Sequence, residues 1–260
     1  VPKYNGKSSV AVHGNKPYFT SREKQNTNTF ESYHKLDKLG RCGVAYANVS
    51  KDTMPTEARG EIGQIRPSGW HTVKYTGVVD GNYLYNRCHL IAYCLTAENA
   101  NKKNLITGTR YMNNEGMLPY EEKTARYIDK TNNHVLYRVT PVFEGSNLVA
   151  SGVLMEAYSV EDQGKGICFC TYCYNVQPGV AIEYPTGHSH LNGKNNQNSH
   201  NISAKEHASA VYILNTNTKK FHKPDCYSVK QMSSKNRKKY KGLRKKLIKD
   251  GYSPCKNCNP

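Results

Sequence analysis

Asn86-Arg-Cys-His-Leu-Ile91 is the stretch on which the reading of this chain turns. It is followed by Asn104-Leu-Ile-Thr-Gly-Thr-Arg-Tyr-Met-Asn113 and then by Asn114-Glu-Gly-Met-Leu-Pro-Tyr-Glu121. Just upstream, Val73-Lys-Tyr-Thr-Gly-Val-Val79 alternates in part and meets the turn Asp80-Gly-Asn82, after which Tyr83-Leu-Tyr85 runs into Asn86. Two strands joined by that turn are expected. On a strand, Arg87 and His89 project from one face, so a guanidinium and an imidazole converge. Downstream, Asn113 to Ile128 is a helical candidate with Leu118, Ala125 and Ile128 near one face. Pro119 suits a first helical turn, so the regular part is expected to begin there. If helix runs through both Asn113 and Glu121, their separation makes about two turns and brings both side chains to one side.

These residue types match the needs of phosphodiester hydrolysis at neutral pH. A base must activate water, a cation must stabilise the phosphorane and the leaving oxygen, and donors must hold the nonbridging oxygens. His89 is the natural base, because imidazole titrates near working pH. Arg87 can grip a phosphate in the fork geometry that guanidinium favours. The Asn113 amide oxygen is a hard ligand suited to Mg²⁺, which keeps most of its positions for water and substrate. Each residue also has an ordinary reading. His89 can be a strand-end histidine, and Asn113 and Glu121 a capping residue and a solvent-facing carboxylate.

The formal net charge of +17 favours a polyanionic partner, whether nucleic acid, an anionic membrane surface or an acidic polymer. No apolar run approaches the roughly 20 residues that cross a bilayer, so no membrane insertion is expected. The chain starts at Val1 without Met, which suggests removal of an upstream segment. Nothing points to a particular protein partner.

Residues 1–184 read as the main domain. His134 to Phe143 and Asn147 to Tyr158 form a candidate hairpin about Glu144-Gly-Ser146, and Ile167 to Val176 is a further strand candidate. Within that strand Cys168 and Cys170 share a face and Cys173 takes the other, which argues for core packing. Residues 185–207, rich in Asn, His, Ser and Gly, read as a flexible linker. Residues 208–260 form a second unit that opens with a strand at Ala210 to Leu214. A Lys/Arg-rich helix is expected from about Ser234 to Asp250, capped by Gly251.

This tail holds 14 Lys/Arg against 2 Asp/Glu, a balance of +12 within the chain's +17. It also holds His222-Lys-Pro-Asp-Cys226 and, after 28 intervening residues, Cys255-Lys-Asn-Cys258. Two short ligand pairs around a folded insert make a structural Zn²⁺ spacing. A unit with so few large apolar residues also needs a staple. Free thiols, or a Cys255–Cys258 disulfide, are the other readings. The odd total of 9 cysteines argues against a complete disulfide framework. The tail's charge suggests that it grips a nucleic-acid backbone.

Taken together, Asn86-Arg-Cys-His89, the interval from Asn104 to Asn113 and the interval from Asn113 to Glu121 resemble the DNA/RNA non-specific endonuclease family, the ββα-metal nucleases. That family's motif is Asp-Arg-Gly-His, two Asn nine residues apart, and a Glu eight residues further on. Leu39-Gly-Arg-Cys-Gly-Val-Ala-Tyr-Ala47, Pro67-Ser-Gly-Trp70 and Gly116-Met-Leu-Pro-Tyr-Glu121 extend the likeness, over roughly residues 35–184, to secreted and DNA-uptake nucleases of Gram-positive bacteria.

The resemblance implies an α+β fold with a central antiparallel sheet and a ββα-metal catalytic finger, to which the tail adds a small zinc-stapled module. It implies a secreted or cell-surface bacterial endonuclease acting on DNA and on RNA. His89 would be the general base, and Asn113 the sole protein ligand of Mg²⁺, with Mn²⁺ an alternative ion. Glu121 and Asn104 would orient waters and the site. Arg87 and an upstream arginine, Arg59 or else Arg66, would contact phosphate. The chain departs from the motif at Asn86, which removes a negative charge beside the base, and at Cys88. Those departures keep open a second reading, a catalytically weak nucleic-acid-binding protein on a nuclease fold. The tail resembles small zinc-binding modules appended to bacterial nucleases.

Overall fold

A computed structural model describes residues 1–192, 210–230, 232–255, 257–258 and 260. It divides into two compact units, Val1–Leu191 and Asn192–Pro260.

The first unit is built on a six-stranded antiparallel sheet. In chain order the strands are β1 (Ser9–Ala11), β2 (Phe30–Tyr33), β3 (Ala45–Val49), β6 (Val135–Val142), β7 (Gly152–Ser159) and β8 (Cys168–Tyr174), arranged β1-β8-β7-β6-β3-β2. A separate two-stranded ribbon pairs β4 (Tyr85–His89) with β5 (Leu105–Thr109), and another pairs β9 (Val180–Ile182) with β10 (Ser189–Leu191). Between β4 and β5 lies the short helix α1 (Tyr93–Thr96), and α2 (Leu118–Thr131) follows β5.

Period-two alternation sorts the large sheet's side chains. Ala45, Ala47 and Val49 of β3, Val135, Tyr137 and Val139 of β6, Val153, Met155 and Ala157 of β7, and Phe169 and Cys173 of β8 all enter one core. From the other side that core receives Cys88 of β4, Ile106 of β5, and Ala125 and Ile128 of α2. The expected hairpin of β6 and β7 is present, although Asn147 to Ser151 stay outside the strands. The cysteine facing expected for β8 also holds, with Cys173 in this core.

Two local expectations for this unit do not hold. Val73 to Val79 is not the partner of β4; only an isolated bridge links Lys74 to Tyr83. The partner is β5, because Leu105-Ile-Thr-Gly-Thr109 offers a continuous, fully buried run, whereas the upstream run contains Thr76-Gly77, with Gly77 at φ +79 and turns instead. Residues 189–191, expected within a flexible linker, instead form β10 and pair with β9. The rest of the proposed linker, from residue 193, with His200 and His207, lies outside the described residues.

The second unit is a four-stranded sheet of β11 (Ala210–Asn215), β12 (Lys220–His222), β13 (Arg237–Gly242) and β14 (Ser253–Pro254), ordered β13-β11-β12-β14. The short helices α3 (Tyr227–Lys230) and α4 (Arg244–Lys249) complete it. The long basic helix is therefore replaced by a strand, a turn and six residues of helix. In the expected helix Gly242 would fall near the middle, where glycine costs about 1 kcal/mol relative to Ala. As a strand the segment sets Tyr240 opposite Tyr212, with the rings stacked at 6.5 Å. Gly251, at φ +81, does follow the shortened helix.

Candidate active site

The ribbon of β4 and β5 carries the site. Their register places Asn86 opposite Gly108, Arg87 opposite Thr107 and His89 opposite Leu105. Gly108 is required by close approach, since a Cβ there would lie 2.6 Å from Cys88 Cβ. After β5 the chain enters a wide π-type turn, Met112–Met117, and tightens into α2 at Leu118, with Pro119 in its first turn. Such widened turns recur at functional sites because they re-aim side chains that a regular helix would not present. Here the turn carries Asn113.

His89 is 6% exposed. Its Nε2 lies 2.8 Å from the Asn99 carbonyl oxygen, which can only accept, so Nε2 holds the proton and Nδ1 is left as the acceptor. An Arg59 guanidinium nitrogen sits 3.3 Å from Nδ1. Burial, and then the Arg59 charge, push the His89 pKa down to about 4, against the opposing pull of the Asn99 bond. The imidazole is thus a neutral, oriented base at ordinary pH. Asn86 is not beside it: strand alternation turns Asn86 to the other face, where its Oδ1 meets Arg110 at 3.5 Å. Asn86, where the family motif has Asp, therefore lies away from His89.

Asn104 is fully buried, and both ends of its amide are spent on one residue. Its Oδ1 accepts from Ile91 N and its Nδ2 donates to Ile91 O, each at 2.9 Å. Leu90 N also donates to the Asn104 carbonyl. Asn104 therefore clamps the chain just after His89 through Ile91. Arg87 donates from Nε to Ile65 O at 2.6 Å and from Nη2 to Gly63 O at 2.7 Å, and it stacks on Trp70 at 4.1 Å. Its Nη1 takes no part in either bond. Arg66 bonds the carbonyls of Gly63 and Ile65. Of the two upstream candidates, only Arg59 is brought to His89.

Asn113 Oδ1 accepts from the Cys88 thiol at 3.1 Å, and its Nδ2 donates to Asn114 Oδ1 at 2.9 Å. Glu121 lies on the buried stripe of α2 with Thr124, Ala125 and Ile128. Leu118, expected on that stripe, is only half-buried. No hydrogen bond to the Glu121 carboxylate occurs among the described residues, and burial, then Glu122, push its pKa up to about 8, with Arg59 opposing. A carboxylate on a core face is costly unless something charged meets it. A hard amide oxygen together with this carboxylate is a donor set that suits Mg²⁺. Asn99, whose carbonyl fixes the His89 tautomer, carries no motif signal and is joined to the site only by the fold. Trp70 stands in the Pro67-Ser-Gly-Trp70 stretch, and only the fold shows that it backs Arg87.

The second unit brings His222, Cys226, Cys255 and Cys258 together, all buried, with their ligand atoms within 4.8 Å of one another. A tetrahedron of 2.3 Å Zn–S bonds has edges of about 3.8 Å, so the cluster has the size of such a site. Backbone N–H groups of Lys223 and Asn257 donate to the sulfurs of Cys258 and Cys255. Among the described residues, the buried His222 Nδ1 has no hydrogen-bond partner. Hydrogen bonds from Cys226 and then Cys258 hold the Cys255 thiol far below its ordinary range. Three soft donors and an imidazole fit zinc.

A family model described as DNA/RNA non-specific endonuclease matches residues 20–161. Among solved structures, NucA from Streptococcus agalactiae with magnesium ion bound is similar at 23% identity, over 70% of this chain and 86% of its own, with a TM-score of 0.62. Sda1 nuclease with bound zinc ion is similar at 24% identity, over 72% of this chain and 97% of its own, with a TM-score of 0.61. A structure described as an extracellular endonuclease shares 17% identity over 73% of this chain and 100% of its own, with a TM-score of 0.50. At these identities the likeness shows the fold. No curated protein matches the chain by sequence.

Proposed function

The chain belongs to the DNA/RNA non-specific endonuclease family, and from that premise we propose that it is a Mg²⁺-dependent endonuclease cutting both DNA and RNA, with His89 as its general base. One observation carries the reading: a buried, neutral imidazole whose tautomer is set by the Asn99 carbonyl and whose remaining nitrogen faces an arginine. No helix among the described residues is long and apolar enough to cross a membrane.

In this mechanism an incoming phosphate draws Arg59 from Nδ1 to a nonbridging oxygen. Nδ1 then takes a proton from the attacking water, whose oxygen bonds to phosphorus as the bond to the leaving sugar oxygen breaks. Arg87 holds the Gly63–Ile65 turn and offers its remaining nitrogen to the same phosphate. Asn104 keeps His89 in register through Ile91. Asn113 and Glu121 would hold Mg²⁺, directly and through water respectively, and the ion would stabilise the charge that develops on phosphate and leaving oxygen. His222, Cys226, Cys255 and Cys258 would hold one structural Zn²⁺. The reading extends to a secreted or cell-surface enzyme, in keeping with the extracellular endonuclease to which the fold is similar.

Supercoiled plasmid tests this directly. Purified protein is expected to nick and linearise it with Mg²⁺ and to stop when EDTA removes the ion. Cleavage that persists in EDTA overturns the metal mechanism. DNA binding with no cleavage under any divalent ion leaves a nucleic-acid-holding protein on a nuclease fold.

A further inference from the structure

The excess charge of the chain lies in a unit that takes no part in the chemistry above, and the fold gives it a definite shape. Residues 208–260 carry +12 of the +17. β13 lies at the end of its sheet, and among the described residues it pairs only with β11 and leaves its other edge unpaired. Arg237, Lys238, Lys239 and Lys241 are all exposed along it. Arg237 is tied back by bonds to the carbonyls of Val229 and Met232. Lys238, Lys239 and Lys241 have no acidic partner among the described residues. Within this segment of the strand, Tyr240 is turned inward to Tyr212.

We propose that the β13 edge is a nucleic-acid docking rail, on which Lys238, Lys239 and Lys241 bind successive phosphates independently of base sequence. The proposal rests on the nuclease reading only in naming the polyanion. Alternate residues on a strand repeat at about 6.6 Å, while phosphates on one nucleic-acid strand advance about 3.4 Å along the axis. Lys239 and Lys241 therefore span about two nucleotides, and Lys238 reaches the same backbone from the other side of the pleat. Lysine binds phosphate as a point charge without base readout, which suits an enzyme with little sequence preference. Such a rail raises the local concentration of substrate without touching the bond that breaks. The rival role is purely protective, since lysines on an edge strand also block edge-to-edge aggregation.

The full-length chain serves for the test, with His89→Ala in the background and no divalent ion added, so that the DNA survives. Binding of a fluorescent 20-base-pair duplex is followed by anisotropy across a salt series. The triple variant Lys238→Gln/Lys239→Gln/Lys241→Gln is expected to flatten the slope of log K against log salt by about 0.9 per lost contact, up to about 2.7 in all. A control triple, Lys3→Gln/Lys7→Gln/Lys16→Gln, makes the same charge change on exposed positions of the first unit and is expected to leave most of the slope intact. Zinc content and circular dichroism establish that the variant folds. If it does not, Lys239→Gln alone is read against Lys239→Arg, which is expected to keep the slope.

Equal flattening by both triples, or an unchanged slope with increased aggregation, overturns the rail. So does loss of binding to anionic vesicles with duplex binding intact, which makes the edge a membrane contact. Cleavage and docking are read separately. A wild type that never cleaves, with the β13 effect intact, sinks the nuclease reading and keeps the rail.

Discussion

The ribbon of β4 and β5 and the cluster at His222 both hold polar side chains inside protein, but they are supported in opposite ways. His89, Asn104, Asn113 and Glu121 are set against a large apolar core drawn from β3, β6, β7, β8 and α2. The site can lose a functional group while that core persists. In the second unit, Cys226, Cys255 and Cys258 are themselves members of a small buried cluster, with Val229 and Met232 as its other buried members. The other cluster there is Tyr212, Leu214, Phe221 and Leu247. One of that unit's two clusters is therefore built mainly from the candidate ligands themselves. In the first unit function is laid on a fold, and in the second the ligand set is much of what makes the fold.

The largest expected effect follows from that contrast. Cys255→Ser removes one of the four residues proposed to hold zinc, and structural zinc contributes about 10–16 kcal/mol of apparent binding free energy in small peptides at pH 7. The purified wild type is expected to carry about one zinc atom, and the variant to lose it and to gain rapid amide exchange across β11 to β14. Turnover at saturating DNA is expected to survive, because His89 and Asn113 belong to the other unit. Zinc-free wild type with a protected β11 would break the comparison, and loss of all turnover in the variant would show that the two units form one active site.

His89→Ala is the complementary case, with a smaller free-energy change and no unfolding. Losing a general base costs about 10²–10⁴ in rate. Because the ring is buried among groups that remain, DNA affinity and the exchange pattern of the first unit are expected to stay close to wild type. Wild-type cleavage by this variant would remove His89 from the mechanism. A molten first unit would show that its chemistry and fold are no more separable than those of the second.

The same contrast explains what was legible in the sequence. The spacing of Asn86, His89, Asn104, Asn113 and Glu121 is local and survives as a pattern, because each residue is fixed by its own element. The four zinc-type ligands were legible for the same reason. What stayed hidden depends on distant pairing. β5 was not recognised as the partner of β4, because a buried run without alternation does not say which strand it joins. That Asn104 ties its amide to both backbone groups of Ile91 is visible only in the fold. The strand at Arg237 to Gly242 was read as helix because Lys and Arg favour helices weakly, and the pairing of Tyr240 with Tyr212 outweighs that preference.

The smallest expected effect concerns the contact between Arg59 and His89, and it is read in pH. An imidazole ordinarily titrates near 6.5; here burial first, and the Arg59 charge second, bring His89 down to about 4. A lowered pKa keeps the base form to lower pH, so activity is lost only as pH falls through the folded value. In the window between about 4 and 6.5 the unfolded chain binds the proton more readily, so acidification there also destabilises the first unit. The acid limb of kcat/KM, which reports the free enzyme, is therefore expected well below the ordinary imidazole range. Arg59→Gln removes the second cause and leaves the first, so the limb is expected to move up yet remain below 6.5. The same variant lowers kcat/KM at every pH by weakening phosphate contact, which is why the midpoint and not the height of the profile is the measurement. A wild-type limb at 6.5 would mean that His89 is not the buried base described. A limb that Arg59→Gln leaves in place would mean that the guanidinium is directed elsewhere in solution, and that the phosphate need not draw it from Nδ1 before water can be activated.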